Sequence, residues 1–583
     1  MPRVARVVPD VTGLDKQFDY LIPDHLRDEV DVGTMVRVAL AGRRVGGWVV
    51  GVGSPDDAVP VAKLRPLAKV TGHGPPAELV ALAAWAARRW AAGRLRPFLV
   101  AASPVRAVPV VPAAARSGVV PGPVDPGSAR LLAAGGGVLR RPPSADPVPV
   151  VLAAVATGPA LVVTPSVDEA RLLGARLRRA GLTVAVVPRD WAAAAGGVDV
   201  VIGARAAAWA PMPVLGAVVV LDEHDEALQE ERVPTWHARD VAVERARRAG
   251  VPFLLVSPVP SLAALARWGD RLHVPSRNEE RAGWPILEIV DRTQDEPWGR
   301  SLLSSALIRS LRDPSRTVVC VLNAPGKARR LACRSCRALQ RCERCQAAVS
   351  QTRGGGLRCA RCGTERPVVC QVCGSSAVVV LRPGVSALRD DLEAAGGRPV
   401  AEITGADRDG GPEARPADVG VFVGTEAVLH RVSSADVVAF LDIDDELLAP
   451  RFRADEQALG LLARAARLVG PRVGGGRILV QTRLPNHEVL QAALHADPGR
   501  LTAPAMARRV ELDLPPARAV ALVSGSGAEE LAASLGSHPG VGVAGPSDGR
   551  YLVRAADADA LAEALAAVPR PTRVRIEVDP PRI

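Results

Sequence analysis

Apolar positions along this chain change their period several times, and each change marks a boundary. From Arg3 to about Pro104 short β-type runs dominate, such as Met35-Val-Arg-Val-Ala-Leu40 and Gly47-Trp-Val-Val-Gly-Val52, followed by an amphipathic helix from Pro76 to Ala92. Residues 1–104 are therefore expected to form a small β-rich domain. Residues 105–149 are crowded with Pro and Gly and carry no periodicity, so a linker or a decayed domain is expected there. From Val150 to about Leu265 the apolar runs Ala160 to Thr164, Thr183 to Val187, Val198 to Ile202, Ala217 to Leu221 and Phe253 to Val256 alternate with helical patterns. Such alternation predicts a parallel α/β lobe over 150–275. A second α/β pattern, with strands at Val318 to Leu322, Ala377 to Leu381, Val419 to Val423, Val437 to Leu441 and Arg477 to Gln481, predicts another lobe over 276–498. Residues 499–583 read as a small α+β domain ending in the strand Thr572 to Asp579. The expected fold class is multidomain α/β, and 583 residues are too many for one core.

Inside the second lobe lie eight of the nine cysteines, as four Cys-x-x-Cys pairs: Cys333/Cys336, Cys342/Cys345, Cys359/Cys362 and Cys370/Cys373. This spacing predicts two tetrahedral zinc sites. Each pair turns two thiolates toward one ion at about 2.3 Å, and two pairs close an all-thiolate shell with no open position for water. Both ions would be structural. The stretch between Cys345 and Cys359, containing Gly354-Gly355-Gly356, is long enough for a β-hairpin, so Cys342, Cys345, Cys359 and Cys362 are expected to share one zinc. Cys333, Cys336, Cys370 and Cys373 then share the other. The insertion 333–373 is also mildly basic, with eight Arg against Glu343 and Glu365. Cys320, in the apolar run Thr317 to Leu322, is expected to be a core residue of a strand.

Charge points to the partner. A net charge of +11 favours an anion, with nucleic acid the leading candidate, although 17 aromatic residues leave few stacking platforms. Lys occurs only at positions 16, 63, 69 and 327, so nearly all the positive charge is Arg. The start, Met1 to Asp10, lacks an apolar signal-peptide core, and no run of about 18 apolar residues occurs. A cytoplasmic, nucleoid-associated protein without membrane contact is expected, in a reducing compartment that suits zinc thiolates better than disulfides.

The order of these pieces resembles the primosomal replication-restart helicase family, PriA. The resemblance is carried by Gln17-Phe-Asp-Tyr-Leu21, Ile202-Gly-Ala-Arg205, Leu221-Asp-Glu-His-Asp225, Trp236-His-Ala-Arg-Asp240, the four cysteine pairs, Phe440-Leu-Asp-Ile-Asp444 with Arg451-Phe-Arg453, and the segment Val574 to Pro580. It implies an N-terminal domain that captures a DNA 3′ end, two RecA-like helicase lobes with a two-zinc insertion in the second, and a small C-terminal domain. It further implies that Phe18, Asp19 and Tyr20 form the 3′-end pocket, a ring stacking on the terminal base and the carboxylate accepting from the free 3′ hydroxyl. A carboxylate repels a phosphate but accepts from a hydroxyl, which separates a strand end from a strand interior. Arg65 aligns with a family basic residue beside this pocket and is expected to hold the adjoining phosphate.

Departures from the family pattern concern the nucleotide. A helicase of this kind needs a glycine-rich loop opening a helix, a Lys for the β and γ phosphates and a Ser/Thr for magnesium. Here Val150 to Ala156 runs through Thr157-Gly158-Pro159 into the next strand, and no Lys stands between Lys69 and Lys327. The family's metal-holding box is reduced to the remnant Asp222, Glu223 and His224, with Leu221 where its first Asp belongs. Its Ser-Ala-Thr motif reads Ser257-Pro258-Val259. Arg464, Arg467 and Arg472 stand where finger arginines belong, and Arg205 is a further candidate phosphate contact. None of these residues is expected to be catalytic.

The chain thus reads as a degenerate PriA-like protein, not an enzyme and without ATP as a cofactor, that recognises stalled or abandoned forks and recombination intermediates. Its expected partners are forked or D-loop DNA with a free 3′ end, primosome proteins, the replicative helicase or its loader, and single-strand-binding protein. Two alternatives are a working ATP-dependent 3′-to-5′ helicase with an unorthodox nucleotide site, and a zinc-ribbon adaptor that binds protein.

Overall fold

The computed structural model describes residues 3–14, 16–54, 63–118, 122–294, 302–322, 331–352, 356–359, 361–380, 388–403 and 419–583. Gly354, Gly355 and Leu381, used in the sequence reading, lie outside the described residues.

Alternating apolar residues build the first domain as a five-stranded antiparallel sheet in the order Phe18–Leu21, Val4–Pro9, Arg43–Gly53, Met35–Leu40, Lys69–Gly72. Ala5, Val7, Val36, Val38 and Val49 fill one face of it. The helix Ala77–Arg89 does not close that face. Its buried residues Leu79, Leu82, Ala83 and Ala86 join Trp48, Phe98 and a core shared with the first lobe and the C-terminal domain.

Two parallel sheets follow. The first lobe orders its seven strands as Leu272–His273, Gly136–Arg140, Phe253–Ser257, Ala217–Leu221, Ala160–Val163, Val200–Gly203, Val184–Val186. The central ones are buried along their whole length, as parallel strands covered on both faces must be. The second lobe orders six as Ile286–Asp291, Arg477–Thr482, Val437–Phe440, Val318–Val321, Val421–Gly424, Val400–Ile403. Cys320 lies in its core, where burial pushes the thiol up to about 12. The C-terminal domain is a four-stranded antiparallel sheet ordered Gly542–Ser547, Arg550–Ala555, Ala519–Gly525, Val574–Val578, with two helices.

Two expectations are corrected. The stretch 105–149 is no linker throughout, because it supplies the helix Pro126–Ala133 and the strand Gly136–Arg140 within the first-lobe sheet. That strand hid in a glycine run for a steric reason. A Cβ on Gly136 would come 2.3 Å from the Phe253 carbonyl oxygen, and one on Gly137 2.4 Å from that of Arg271, so the packing requires residues of low strand propensity. The helix Gly499–Glu511, assigned above to the C-terminal domain, instead packs Leu501 and Ala505 into the second-lobe core.

The shared core is aromatic at its centre. Trp209 is fully buried, with Phe98 at 5.4 Å and Trp236 at 5.7 Å between ring centroids. Its indole nitrogen makes no hydrogen bond. Trp209→Ala is therefore expected to cost about 3–5 kcal/mol, read as a lower urea midpoint, whereas Trp209→Phe, which keeps a ring and removes an unpaired donor, costs clearly less. Equal losses in the two variants would mean that the ring is not what this core depends on.

Candidate functional site

The zinc-type insertion is built from four copies of one turn. In each, the amide of the fourth residue after the first cysteine donates to that cysteine's carbonyl: Arg337 to Cys333 at 3.0 Å, Gln346 to Cys342 at 2.9 Å, Gly363 to Cys359 at 3.0 Å and Gly374 to Cys370 at 2.9 Å. All four donor residues have positive φ, between 60° and 77°. The turns gather Cys333, Cys336, Cys370 and Cys373 in one group and Cys342, Cys345, Cys359 and Cys362 in another, the sulfurs of each lying within 4.8 Å of one another. The Cys333–Cys373 and Cys336–Cys370 sulfurs are 3.5 Å apart, and those of Cys342–Cys362 and Cys345–Cys359 3.4 Å. A tetrahedral ion bonded at about 2.3 Å places its ligands about 3.8 Å apart, and a disulfide needs about 2.05 Å. The two groups can thus each hold a metal ion. The insertion is tied to the second lobe by Arg361, which donates to the Cys345 and Ala449 carbonyls at 3.0 and 2.8 Å, and by the Ala348 amide, which donates to the Leu448 carbonyl at 2.7 Å.

In the N-terminal sheet, strand alternation separates the three residues Phe18, Asp19 and Tyr20. Phe18 and Tyr20 face the core, and Tyr20 is buried, its hydroxyl donating to the Ala39 carbonyl at 3.0 Å. Tyr20 therefore offers no stacking face, which corrects its assignment to a pocket, while Phe18 remains half-buried. Asp19 faces outward opposite Arg6, its cross-strand partner, which donates to Oδ1 at 3.1 Å. Arg65 is exposed, next to this edge, and its backbone carbonyl accepts from the Leu21 amide at 2.9 Å. Burial raises the Tyr20 phenol and the nearby Arg65 charge opposes it. Arg6 escaped the sequence reading because only strand register pairs it with Asp19.

The cleft between the lobes holds the remaining candidates. Asp222 ends the strand Ala217–Leu221 with φ 48°, and Arg467 of the other lobe clamps its carboxylate with both terminal nitrogens, at 2.5 and 2.7 Å. Burial alone would raise the Asp222 carboxyl; Arg467, helped by His224 and Arg464, outweighs it and holds the group at about 2. Glu223 is fully buried and accepts from the Ser261 amide at 2.6 Å, the Ser261 hydroxyl at 2.8 Å and Arg239 at 3.2 Å. His224 shares a hydrogen bond with Ser257 at 2.8 Å, and burial pushes its imidazole down to about 4. The remnant box is thus absorbed into structural contacts. Arg205 is likewise occupied, donating to the Gln229 carbonyl at 2.7 Å and pairing with Glu230 at 2.8 Å, and Arg472 donates to the Arg281 carbonyl at 3.4 Å.

The strand-to-helix turn facing this cleft is not at 150–159 but at 141–147, between the strand Gly136–Arg140 and the helix Val148–Val155. It reads Arg141-Pro-Pro-Ser-Ala-Asp-Pro147. Pro142, Pro143, Pro147 and Pro149 have no N–H to donate, and the Asp146 carboxylate accepts the Val148 amide at 3.0 Å and pairs with Arg176. Its signal in the sequence was the apolar pair Val138-Leu139 before the prolines. A cavity of about 610 Å³ lies against this turn, lined among others by Glu169, Asp222, Ser257 and Arg467.

His237 caps the helix Ala238–Ala249, its Nδ1 accepting from the Arg239 amide at 3.2 Å. Burial first, and then the Arg239 charge, lowers its pKa well below the usual histidine value. The unfolded chain takes up this proton near pH 6.5 and the folded one does not, so the stabilisation is complete above that pH and lost as pH falls below it. The urea midpoint is expected to drop between pH 7 and pH 5, and His237→Asn, which keeps a capping oxygen, should flatten part of that drop. A variant with the same pH dependence as wild type would remove His237 from the account.

A family model described as the PriA 3′ DNA-binding domain matches residues 6–100. The chain is 30% identical over 580 residues to a probable replication restart protein PriA of Mycobacterium leprae, an alignment covering 88% of this chain and 86% of that one. It is 28% identical over 361 residues to the replication restart protein PriA of Bacillus subtilis, covering 58% of this chain and 44% of the relative. It spans half of the length of the Treponema pallidum protein of the same name, at 30% identity. Among solved structures, the DUF1998 helicase MrfA bound to DNA and AMPPNP aligns at 12% identity with a TM-score of 0.33, over 63% of this chain and 49% of that one. One expectation is overturned by these relatives. The match over 88% of the chain to a PriA relative points to a DNA helicase family, whose members are enzymes, so the reading as a non-enzyme is corrected.

Proposed function

The chain belongs to the replication restart protein PriA family, and on that premise we propose that it recognises stalled or abandoned replication forks and recombination intermediates by a free DNA 3′ end, and that it promotes primosome assembly and reloading of the replicative helicase. The observation that carries this reading is the outward Asp19 on the edge strand Phe18–Leu21, inside the segment matched by the 3′ DNA-binding domain. Asp19 supplies the acceptor for the 3′ hydroxyl, and the exposed rim of the half-buried Phe18, on the same edge strand, the stacking face. Arg65 supports the adjoining phosphate. Arg6 orients the Asp19 carboxylate through the cross-strand pair. The primosome proteins, the replicative helicase or its loader, and single-strand-binding protein are the partners this role requires, in the cytoplasm at the nucleoid. No helix among the described residues is long and apolar enough to cross a membrane.

The two cysteine groups are assigned structural zinc, because four sulfurs in a tetrahedral cage suit a soft, redox-silent ion. Zinc would tie together the insertion 333–373, whose described residues form one short three-stranded sheet, with a two-stranded one, Leu331–Cys333 and Val378–Val380, at its base. Elemental analysis is expected to give two zinc ions per chain and, because the two groups share no sulfur, one per chain for Cys342→Ser. A single ion in the wild type, or none, would end the two-site assignment.

Fork binding is expected to depend on the chemistry of the leading-strand end. A charge-assisted hydrogen bond contributes about 1.5–3 kcal/mol, so a 3′ hydroxyl should bind about tenfold or more tighter than a 3′ phosphate. Asp19→Ala should erase that preference, while the salt dependence stays nearly unchanged because it is set by phosphate contacts elsewhere. If wild-type protein held both ends with the same Kd, the 3′-end reading would fall.

A further inference from the structure

One helix and its N-terminal cap carry five residues with which the second lobe meets the first across the cleft. On Ala454–Val469 and its N-terminal cap, Arg453, Glu456, Gly460, Arg464 and Arg467 recur at intervals of three and four, which places them on one face. Each touches the first lobe. Arg453 donates to the Gln229 side-chain oxygen at 3.2 Å, and Glu456 accepts from the Leu262 amide at 2.9 Å. Gly460 lets the helix lie against His224, where an added Cβ would come 3.0 Å from the ring. Arg464 is held on its own lobe by His430 at 2.9 Å, pairs with Asp225 and stands 3.8 Å from Glu169. Arg467 clamps Asp222 and donates through Nε to the Pro143 carbonyl at 3.1 Å. The opposite face, with Ala458, Leu459, Leu462 and Ala466, is fixed in the second-lobe core.

We infer that this stripe is an interlobe latch, which holds the two lobes closed by the chain's own ion pairs and so makes closure independent of any ligand in the cleft. Two features support a latch over incidental surface pairing. The Arg464–Asp225 pair is drawn from water on both sides, with side chains 14% and 11% exposed, and the Arg467–Asp222 contact is bidentate. The partners are also complementary along the helix. Acceptors of the first lobe meet Arg453, Arg464 and Arg467, while its one amide donor meets Glu456, so sliding by one turn would set a guanidinium against an N–H. The loop 141–147 contributes in the same sense, through the carbonyl of Pro143 rather than an N–H.

Small-angle scattering and hydrogen exchange on the full-length protein test this. The wild type is expected to keep one radius of gyration with and without a magnesium–ATP analogue, with the Leu262 amide protected. Arg464→Ala/Arg467→Ala and, from the other lobe, Asp222→Asn/Asp225→Asn are each expected to enlarge the particle and to lose that protection, leaving exchange in the N-terminal sheet unchanged. Gly460→Leu separates the latch from helix folding. Leucine is a better helix former than glycine, so the second lobe stays folded while the wedge parts the lobes and gives the same enlargement. The inference is overturned if the wild type contracts on adding the nucleotide analogue, or if both paired substitutions leave size and protection as in the wild type, whatever Gly460→Leu does.

Discussion

A guanidinium drawn out of water at a domain joint gives up hydration worth several kcal/mol, and it stays there only if carboxylates and carbonyls replace the lost water in good geometry. Joint after joint in this protein is built on that condition. Arg245, 2% exposed, leaves the first lobe to meet Glu78 of the N-terminal domain at 2.8 Å and the Ala210 carbonyl at 2.6 Å. Arg89 crosses from the N-terminal domain to Asp579 at the far end of the chain, at 2.7 Å. Arg509 turns to Glu456 and to the Pro515 carbonyl. Arg is the suitable cation because its planar fork makes several directed bonds at once, which a lysine cannot match.

These pairs decide orientation, and the apolar core decides that the joints hold at all. Trp48, Leu79 and Phe98 of the N-terminal domain, Trp209 and Trp236 of the first lobe, and Val523, Leu531 and Ile576 of the C-terminal domain belong to one continuous cluster. The last strand adds polar ties, with the Thr235 hydroxyl donating to the Val578 carbonyl at 2.6 Å and the Gln229 amide to that of Asp579 at 2.5 Å. The N-terminal sheet is consequently set at a fixed angle to the first lobe.

Much of this was legible in the sequence where chemistry is local. Four Cys-x-x-Cys pairs specify their own turns, and loop length alone sorted them into the two groups that the structure assembles. The apolar runs at 160–164, 217–221 and 253–256 announced a parallel sheet because strands covered on both faces are apolar throughout. What failed depended on distant partners. The strand Gly136–Arg140 is glycine-rich because Phe253 and Arg271 press on it, and neither neighbour is visible from its own window. Tyr20 read as a pocket ring until register turned it inward, and Arg467, read only as standing where a finger arginine belongs, finds its partner Asp222 where the lobes meet.

The cleft follows from the same economy of charge. Asp222 and Glu169 stand on its first-lobe wall and Arg464 and Arg467 on the other, so acid and base already satisfy one another across the gap. Of the groups lining the cavity, Asp146, Glu169 and Asp222 are acids and Arg141, Arg176 and Arg467 bases, while Pro142, Pro143 and Pro147 of the turn have no N–H to offer. A ligand that pairs with Asp222 or with Arg467 competes with the bond between them. Arg464 and Arg467 share one face of the helix Ala454–Val469 with Gly460, where the lobes touch, so the groups that hold the lobes together are the ones a ligand would have to displace.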